Sequence, residues 1–144
     1  MVRSIARADE TVRFTVSLPR ALLKDLDRRM IARGYASRSE LVRDLVRERL
    51  VEEKWEDEGS DVVGVLTISY DHHQRNLPDR IMHLQHRAFV HILCTTHIHL
   101  DHEHCLEAIF IRGRPAQVEK LSLAISGLRG VKFARLTKAS KVAR

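Results

Sequence analysis

The stretch CTTHIHLDHEHCLEAIF, residues 94–110, decides how the second half of the chain folds. Two apolar, β-rich runs, FVHILCTTHIHL and HCLEAIFIRG, flank the tripeptide DHE at 101–103, which is the pattern of a β-hairpin. Cys94, His97, His99, His102, His104 and Cys105 all fall inside it. Pairing symmetric about His102 sets His99 opposite Cys105 and Cys94 opposite Phe110. Residues two apart in a strand share a face, so His97, His99 and Cys105 project together, with directly opposed Cβ atoms about 4.5–5.5 Å apart. Cys94 is an odd number of positions from His97 and faces the other way. A Cys94–Cys105 disulfide needs Cβ atoms about 4 Å apart, which this register forbids, and Cys94 is expected to be a buried core thiol.

Two imidazoles and a thiolate on one face make most of a metal site, and a fourth ligand is wanted; the alternative is a solvated, histidine-rich hairpin. His72, His73, His83, His91, His102 and His104 have no forced geometry and read as surface or hydrogen-bonded histidines. His91 shares parity with His97 but stands about 20 Å along the strand from it, at about 3.3 Å per residue.

Working outward, DVVGVLTISY (61–70) is an apolar, β-branched strand. LPDRIMHLQHRA (77–88) follows as a helix with Leu77, Ile81 and Leu84 on one stripe. PAQVEKLSLAISGLRG (115–130) is a second helix with Pro at its first position and Gly closing it, and VKFARL (131–136) is a last strand. The order βαββαβ is the ferredoxin-like split arrangement, which on its own implies no function.

The first fifty residues follow a different plan. TVRFTVSLP (11–19) alternates, with Val12, Phe14, Val16 and Leu18 on one face and Arg13, Thr15 and Ser17 on the other, a half-buried strand. A helix with Leu22, Leu23, Leu26 and Met30 on its stripe ends at Gly34, and SRSE (37–40) opens a second as a capping box, with Leu41, Val42, Leu45, Val46 and Leu50 as its apolar positions. One strand and two helices cannot bury their own apolar faces, and a lone strand has two unpaired edges. An intertwined dimer in which two strands pair would bury Phe14 and Val16. It would present Arg13, Thr15 and Ser17 on a ribbon that fits the DNA major groove. The start of the second helix, Ser37–Arg38–Ser39, offers backbone N–H groups to a phosphate. The bland alternative is a small helical oligomerisation module.

Composition is compatible with both halves. The chain has 144 residues, 44% of them hydrophobic, and two cysteines. That suits one or two small domains in a reducing compartment and argues against a disulfide scaffold. No apolar run of about 18 residues is present, which excludes a membrane helix, and the first ten residues lack the apolar core of a secretory signal. A cytoplasmic protein is expected. The net charge of +6 is clustered: VEEKWEDEGSD (51–61) is acidic, whereas VKFARLTKASKVAR at the end carries five basic residues and no acidic one. The expected organisation is an arm at 1–10, a DNA-binding module at 11–52, an acidic linker at 53–60 and a metal-binding domain at 61–144. The basic tail 129–144 reads as a solvated terminus.

Residues 11–50, through RFTVSLP, the Gly34 turn and SRSELVRDLV, resemble the ribbon-helix-helix repressors. Together with LQH (84–86) and H-x-H-x5-C (97–105), in that order, the chain from Arg13 to about Arg135 resembles the nickel-responsive NikR regulators. The resemblance implies an α+β protein with an ACT-type C-terminal domain that assembles a homotetramer, a dimer of dimers. It implies one Ni(II) per subunit, held by His97, His99 and Cys105 of one chain and His86 of another, with Gln85 in support. A planar set of three imidazoles and one thiolate suits Ni(II) or Cu(II), whereas zinc prefers a tetrahedron. The resemblance also implies a second cation with oxygens from Glu40 and Asp44, which share a helix face; a plain surface pair meeting Arg43 or Arg47 is the alternative. The implied function is nickel-dependent transcriptional regulation, most simply repression, on double-stranded operator DNA. No enzymatic activity, membrane or small-molecule substrate is implied. The rival readings are a regulator whose C-terminal domain senses an amino acid or another divalent metal, and a metal buffer that does not bind DNA.

Overall fold

The computed structural model describes residues 11–140; the expected arm at 1–10 and the last four residues of the basic tail lie outside them, and most of that tail, Val131–Ala139, is a strand paired with its neighbour in the sheet rather than a solvated terminus. The chain divides into two compact units with the boundary between Arg49 and Leu50.

In the first unit, α1 (Arg20–Ala32) follows Pro19 and is ended by Gly34 at φ 71°. The Gly34 N–H reaches the Ile31 carbonyl at 3.1 Å and the Tyr35 N–H reaches that of Met30 at 3.0 Å. These paired bonds satisfy the last carbonyls, and they need a left-handed residue that glycine adopts without a Cβ clash. The second helix, α2, runs Arg38–Glu56. Its start has the expected capping box: Ser37 Oγ accepts from the Glu40 N–H at 3.3 Å, and the Glu40 carboxylate accepts from the Ala36 N–H at 3.2 Å. Leu41 is fully buried.

The strand expected at 11–19 is not formed within one chain, where these residues are irregular. A strand is defined by its hydrogen-bonded partner, and none is available among the described residues of a single copy. Val12, Phe14 and Val16 are 78%, 75% and 61% exposed, an unusual state for three alternating apolar side chains.

The second unit follows the expected order closely: β1 (Val62–Asp71), α3 (Leu77–Arg87), β2 (His91–His99), β3 (His104–Gly113), α4 (Pro115–Ser126) and β4 (Val131–Ala139). The sheet is antiparallel with strand order β2-β3-β1-β4, the ferredoxin-like arrangement. Alternate residues of β1 (Val62, Leu66, Ile68, Tyr70) and of β3 (Cys105, Ile109, Ile111) form the core with Leu77 and Ile81 of α3 and Val118, Leu121 and Ile125 of α4. Both helices therefore cover one face of the sheet. Its other face carries rows such as Cys94–Phe110–Val65–Thr137, and neither α3 nor α4 packs over it.

That uncovered face corrects one expectation: Cys94 is exposed, because its side of the sheet has no helix. A second correction concerns the linker. Residues 53–56 belong to α2, and Trp55, 5% exposed, packs in the C-terminal core with its indole N–H donating to the Ala139 carbonyl at 2.9 Å. The acidic run hides an aromatic anchor, and burial of that ring outweighs the solvation of its neighbours. Only Asp57–Ser60 form a turn, where the Asp57 carboxylate accepts from the Gly59 N–H and the Ser60 hydroxyl.

Candidate metal centre

The hairpin has the anticipated register. His99 pairs with Cys105, His97 with Glu107 and Cys94 with Phe110, so pairing is symmetric about His102. Asp101 builds the loop: one carboxylate oxygen accepts from the Glu103 and His104 N–H groups at 2.8 Å each, and the His104 ring lies 3.0 Å away. These contacts hold its carboxyl at about 2. His104 thus serves the turn and points away from Cys105, as alternation requires.

The same pairing extends across the sheet. His99, Cys105 and Tyr70 form one row on the helix-covered face, and His97, Glu107 and Ile68 form the next. Cys105 is fully buried, with Sγ 3.3 Å from Nδ1 of His99. β2 is an edge strand and almost wholly exposed, which leaves His97 and His99 open to solvent beside the buried sulfur. Desolvation of Cys105, and after it the nearby charges of Glu107, Asp101 and Asp71, push the thiol above its ordinary range. A bare thiolate is disfavoured here, and a cation bound to it would answer both the burial and the surrounding carboxylates. The donor set, imidazole nitrogens beside a thiol, fits a borderline-soft divalent metal.

The sequence reading missed His72. Its Nδ1 stands 3.4 Å from Cys105 Sγ, and its ring packs edge-on to His99 with centroids 5.3 Å apart. His72, His99 and Cys105 each offer one ligand atom, all within 4.8 Å of one another. The signal was available: in a ferredoxin-like sheet β1 lies next to β3, and the register Tyr70↔Cys105 leaves His72 two residues on, with the same parity, past the strand end. His97 stands beside this trio, its ring 5.0 Å from that of His99.

His86 is exposed in the last turn of α3, and Gln85 next to it is half-buried; within the chain His86 is not part of the trio. His91 does not share the face of His97. A β-bulge between Ile92 and Cys94 shifts the register, and His91 pairs with Arg112 on the opposite face; a bulge adds one residue and reverses parity. His73 is exposed, with its ring nitrogen 3.0 Å from the His102 carbonyl.

In the first unit Arg13, Thr15 and Ser17 are all exposed. Glu40 is engaged in capping, while Asp44 accepts from the Tyr35 hydroxyl and pairs with Arg47, both at 2.9 Å. The two carboxylates are thus bound to separate partners.

Residues 63–139 match the NikR C terminal nickel binding domain family, and residues 12–53 match the ribbon-helix-helix proteins of the copG family. The chain is 56% identical over 135 residues to a protein of Helicobacter acinonychis (strain Sheeba) that carries the name nickel-responsive regulator, covering 92% of this chain and 91% of that one. A Campylobacter concisus (strain 13826) protein of the same name is 48% identical over 132 residues, covering 92% and 96%. Among solved structures, the ACT domain of a GTP pyrophosphokinase from Chlorobium tepidum aligns at TM-score 0.46 and 12% identity, over 54% of this chain and 86% of that one.

Proposed function

Because the chain belongs to the NikR family of nickel-responsive ribbon-helix-helix regulators, we propose that it is a repressor that binds operator DNA when Ni(II) occupies a site shared between subunits. It is a regulator and not an enzyme. In this reading His97, His99 and Cys105 of one chain and His86 of another hold one nickel per subunit, with Gln85 steadying His86. The observation that carries it is the fully buried Cys105 sulfur facing His99 at 3.3 Å beside the loop of an edge hairpin. In this reading a second chain supplies the remaining ligand, so metal binding couples to assembly.

The assembly proposed is a tetramer, a dimer of dimers. Two 11–19 segments pair as a ribbon, burying Val12, Phe14 and Val16 and turning Arg13, Thr15 and Ser17 to the base edges. The helix-free face of the C-terminal sheet, with Val65 and Phe110, is the natural surface for joining dimers. No helix of the described residues is long and apolar enough to cross a membrane, and a cytoplasmic location fits a regulator of transcription. The second-cation reading of Glu40 and Asp44 gains nothing from their geometry.

One observation favours a second reading of the metal set: His72, not His97, stands 3.4 Å from the thiol, so a single chain could hold the ion through His72, His99 and Cys105. Titration with Ni(II) followed by absorption tests the site. A thiolate-to-nickel charge-transfer band that saturates at one ion per chain supports it, and an octahedral spectrum without that band overturns the planar set. Selection of binding sites from random-sequence duplexes, with and without Ni(II), tests the DNA half; enrichment that does not depend on nickel overturns it.

A further inference from the structure

We propose that Tyr70 and Glu107 are positioning residues that fix the tautomer of His97, so that its Nε2 lone pair is the one available to a metal. This rests on the reading of His97 as a ligand, but its first test does not need the metal.

Glu107 is a carboxylate only 7% exposed on the core face of β3, a position where alternation otherwise places Cys105, Ile109 and Ile111. A charge is seldom buried without a partner. Its partner is the Tyr70 hydroxyl, which donates to Oε2 at 2.9 Å. Tyr70 is itself 1% exposed and comes from the neighbouring strand, one row away.

A tyrosine hydroxyl has one proton. Having given it to Glu107, the Tyr70 oxygen can only accept from its other neighbour, Nδ1 of His97, at 3.3 Å. The Glu107 oxygen lies 3.9 Å from the same nitrogen. Two acceptor oxygens therefore face Nδ1, which must carry the proton, and the relay runs from His97 Nδ1–H to the Tyr70 oxygen and from the Tyr70 O–H to the carboxylate. A hydroxyl that donates to a carboxylate is polarised into a better acceptor. The neutral ring is left with its lone pair on Nε2.

Reach gives the same answer independently. Cys105 is opposite His99, whereas His97 is opposite Glu107, about 6.6 Å back along the strand at about 3.3 Å per residue. An ion at the sulfur meets the near nitrogen of His99, and His97 can meet it only with the distal nitrogen. Donation of the other ring N–H to a carboxylate or its relay is the usual way a ligating histidine is oriented.

The test uses the full-length protein with 15N-labelled histidine. In the metal-free wild type, His97 is expected as the Nδ1–H tautomer. Tyr70→Phe keeps the ring in the core but removes the relay oxygen, and His97 should then shift toward the Nε2–H form that predominates in a free ring. Ni(II) affinity should fall about 10–100-fold, the usual cost of losing such a partner. Glu107→Gln retains an acceptor oxygen but not the charge and should lie between wild type and Tyr70→Phe on both readouts. An Nε2–H tautomer in the wild type, or a His97 spectrum unchanged by Tyr70→Phe, overturns the proposal. If the tautomer shifts as expected while His97→Gln leaves nickel binding intact, the relay stands and it is the ligand reading that has failed.

Discussion

His99 and Cys105 face each other across the β2–β3 hairpin as a directly opposed pair, with the cysteine sulfur 3.3 Å from the histidine Nδ1. A pair so placed needs no backbone movement to share an ion. Cys105→Ser, which nearly preserves volume, should keep the fold by circular dichroism but abolish the charge-transfer band and weaken nickel binding by more than the 10–100-fold typical of an outer partner. Retention of the band would remove Cys105 from the site.

His72 and His97 compete for the place beside that pair. The proposed shared site expects His97→Gln to lose tight nickel binding and His72→Gln to keep one ion per chain. Equilibrium dialysis of the two variants decides it: loss with His72→Gln and retention with His97→Gln would move the site into a single chain.

Nickel affinity should rise with pH. The Cys105 thiol is pushed above its ordinary range by burial and then by the charges of Glu107, Asp101 and Asp71, so throughout the neutral range the ion must displace a proton. Each displaced proton contributes about tenfold per pH unit, and the slope should flatten only above the usual thiol range. Without metal the linkage has the opposite sign. The folded state holds the thiol proton more tightly than the unfolded one, so this contribution to stability is full below the unfolded thiol pKa and is lost as pH rises through the folded one. Chelator competition between about pH 6.5 and 9 measures the first effect; a flat profile would argue against a thiolate ligand.

Trp55 anchors the end of α2 in the C-terminal core, hydrogen-bonded to the Ala139 carbonyl and lying 5.1 Å under the Lys138 ammonium. Trp55→Ala should cost about 3–5 kcal/mol, read by circular dichroism in urea. Gly64→Ala probes the same spot from below, since a Cβ there would meet Leu136 at 2.9 Å and the Trp55 ring at 3.1 Å. Overpacking of this kind costs about 1–3 kcal/mol, and the single tryptophan reports the unfolding. An unchanged midpoint would show that the core yields there.

Arg13→Ala should weaken binding to the selected duplex by about 1–3 kcal/mol and relax preference at one base. Uniform weakening across sequences, with a shallower salt dependence, would instead assign Arg13 to a phosphate.

Local pattern made most of this fold legible. The apolar, β-branched run at 61–70, the Pro115 helix start and the Gly34 stop each act within a few residues, and the elements lie where those signals put them. Hairpin symmetry about His102 was legible for the same reason: a short loop leaves one register. Three things were not local. Trp55 sits in a run of acidic residues, and its burial depends on β4, more than eighty residues away. His91 changes face because of a bulge that no nearby turn residue announces. Cys94 is exposed because both helices pack on the other face.

The sequence by itself therefore determined which residues share the hairpin face, His97, His99 and Cys105, because strand parity and loop length are covalent facts of a short segment. Only the tertiary structure decided their company. β1 lies beside β3, and that adjacency brings His72 to the thiol, and Tyr70 with the buried Glu107 to His97. Those contacts depend on the order in which four strands assemble into one sheet, where burial over the whole core, and not the preference of any one segment, decides which strand ends meet.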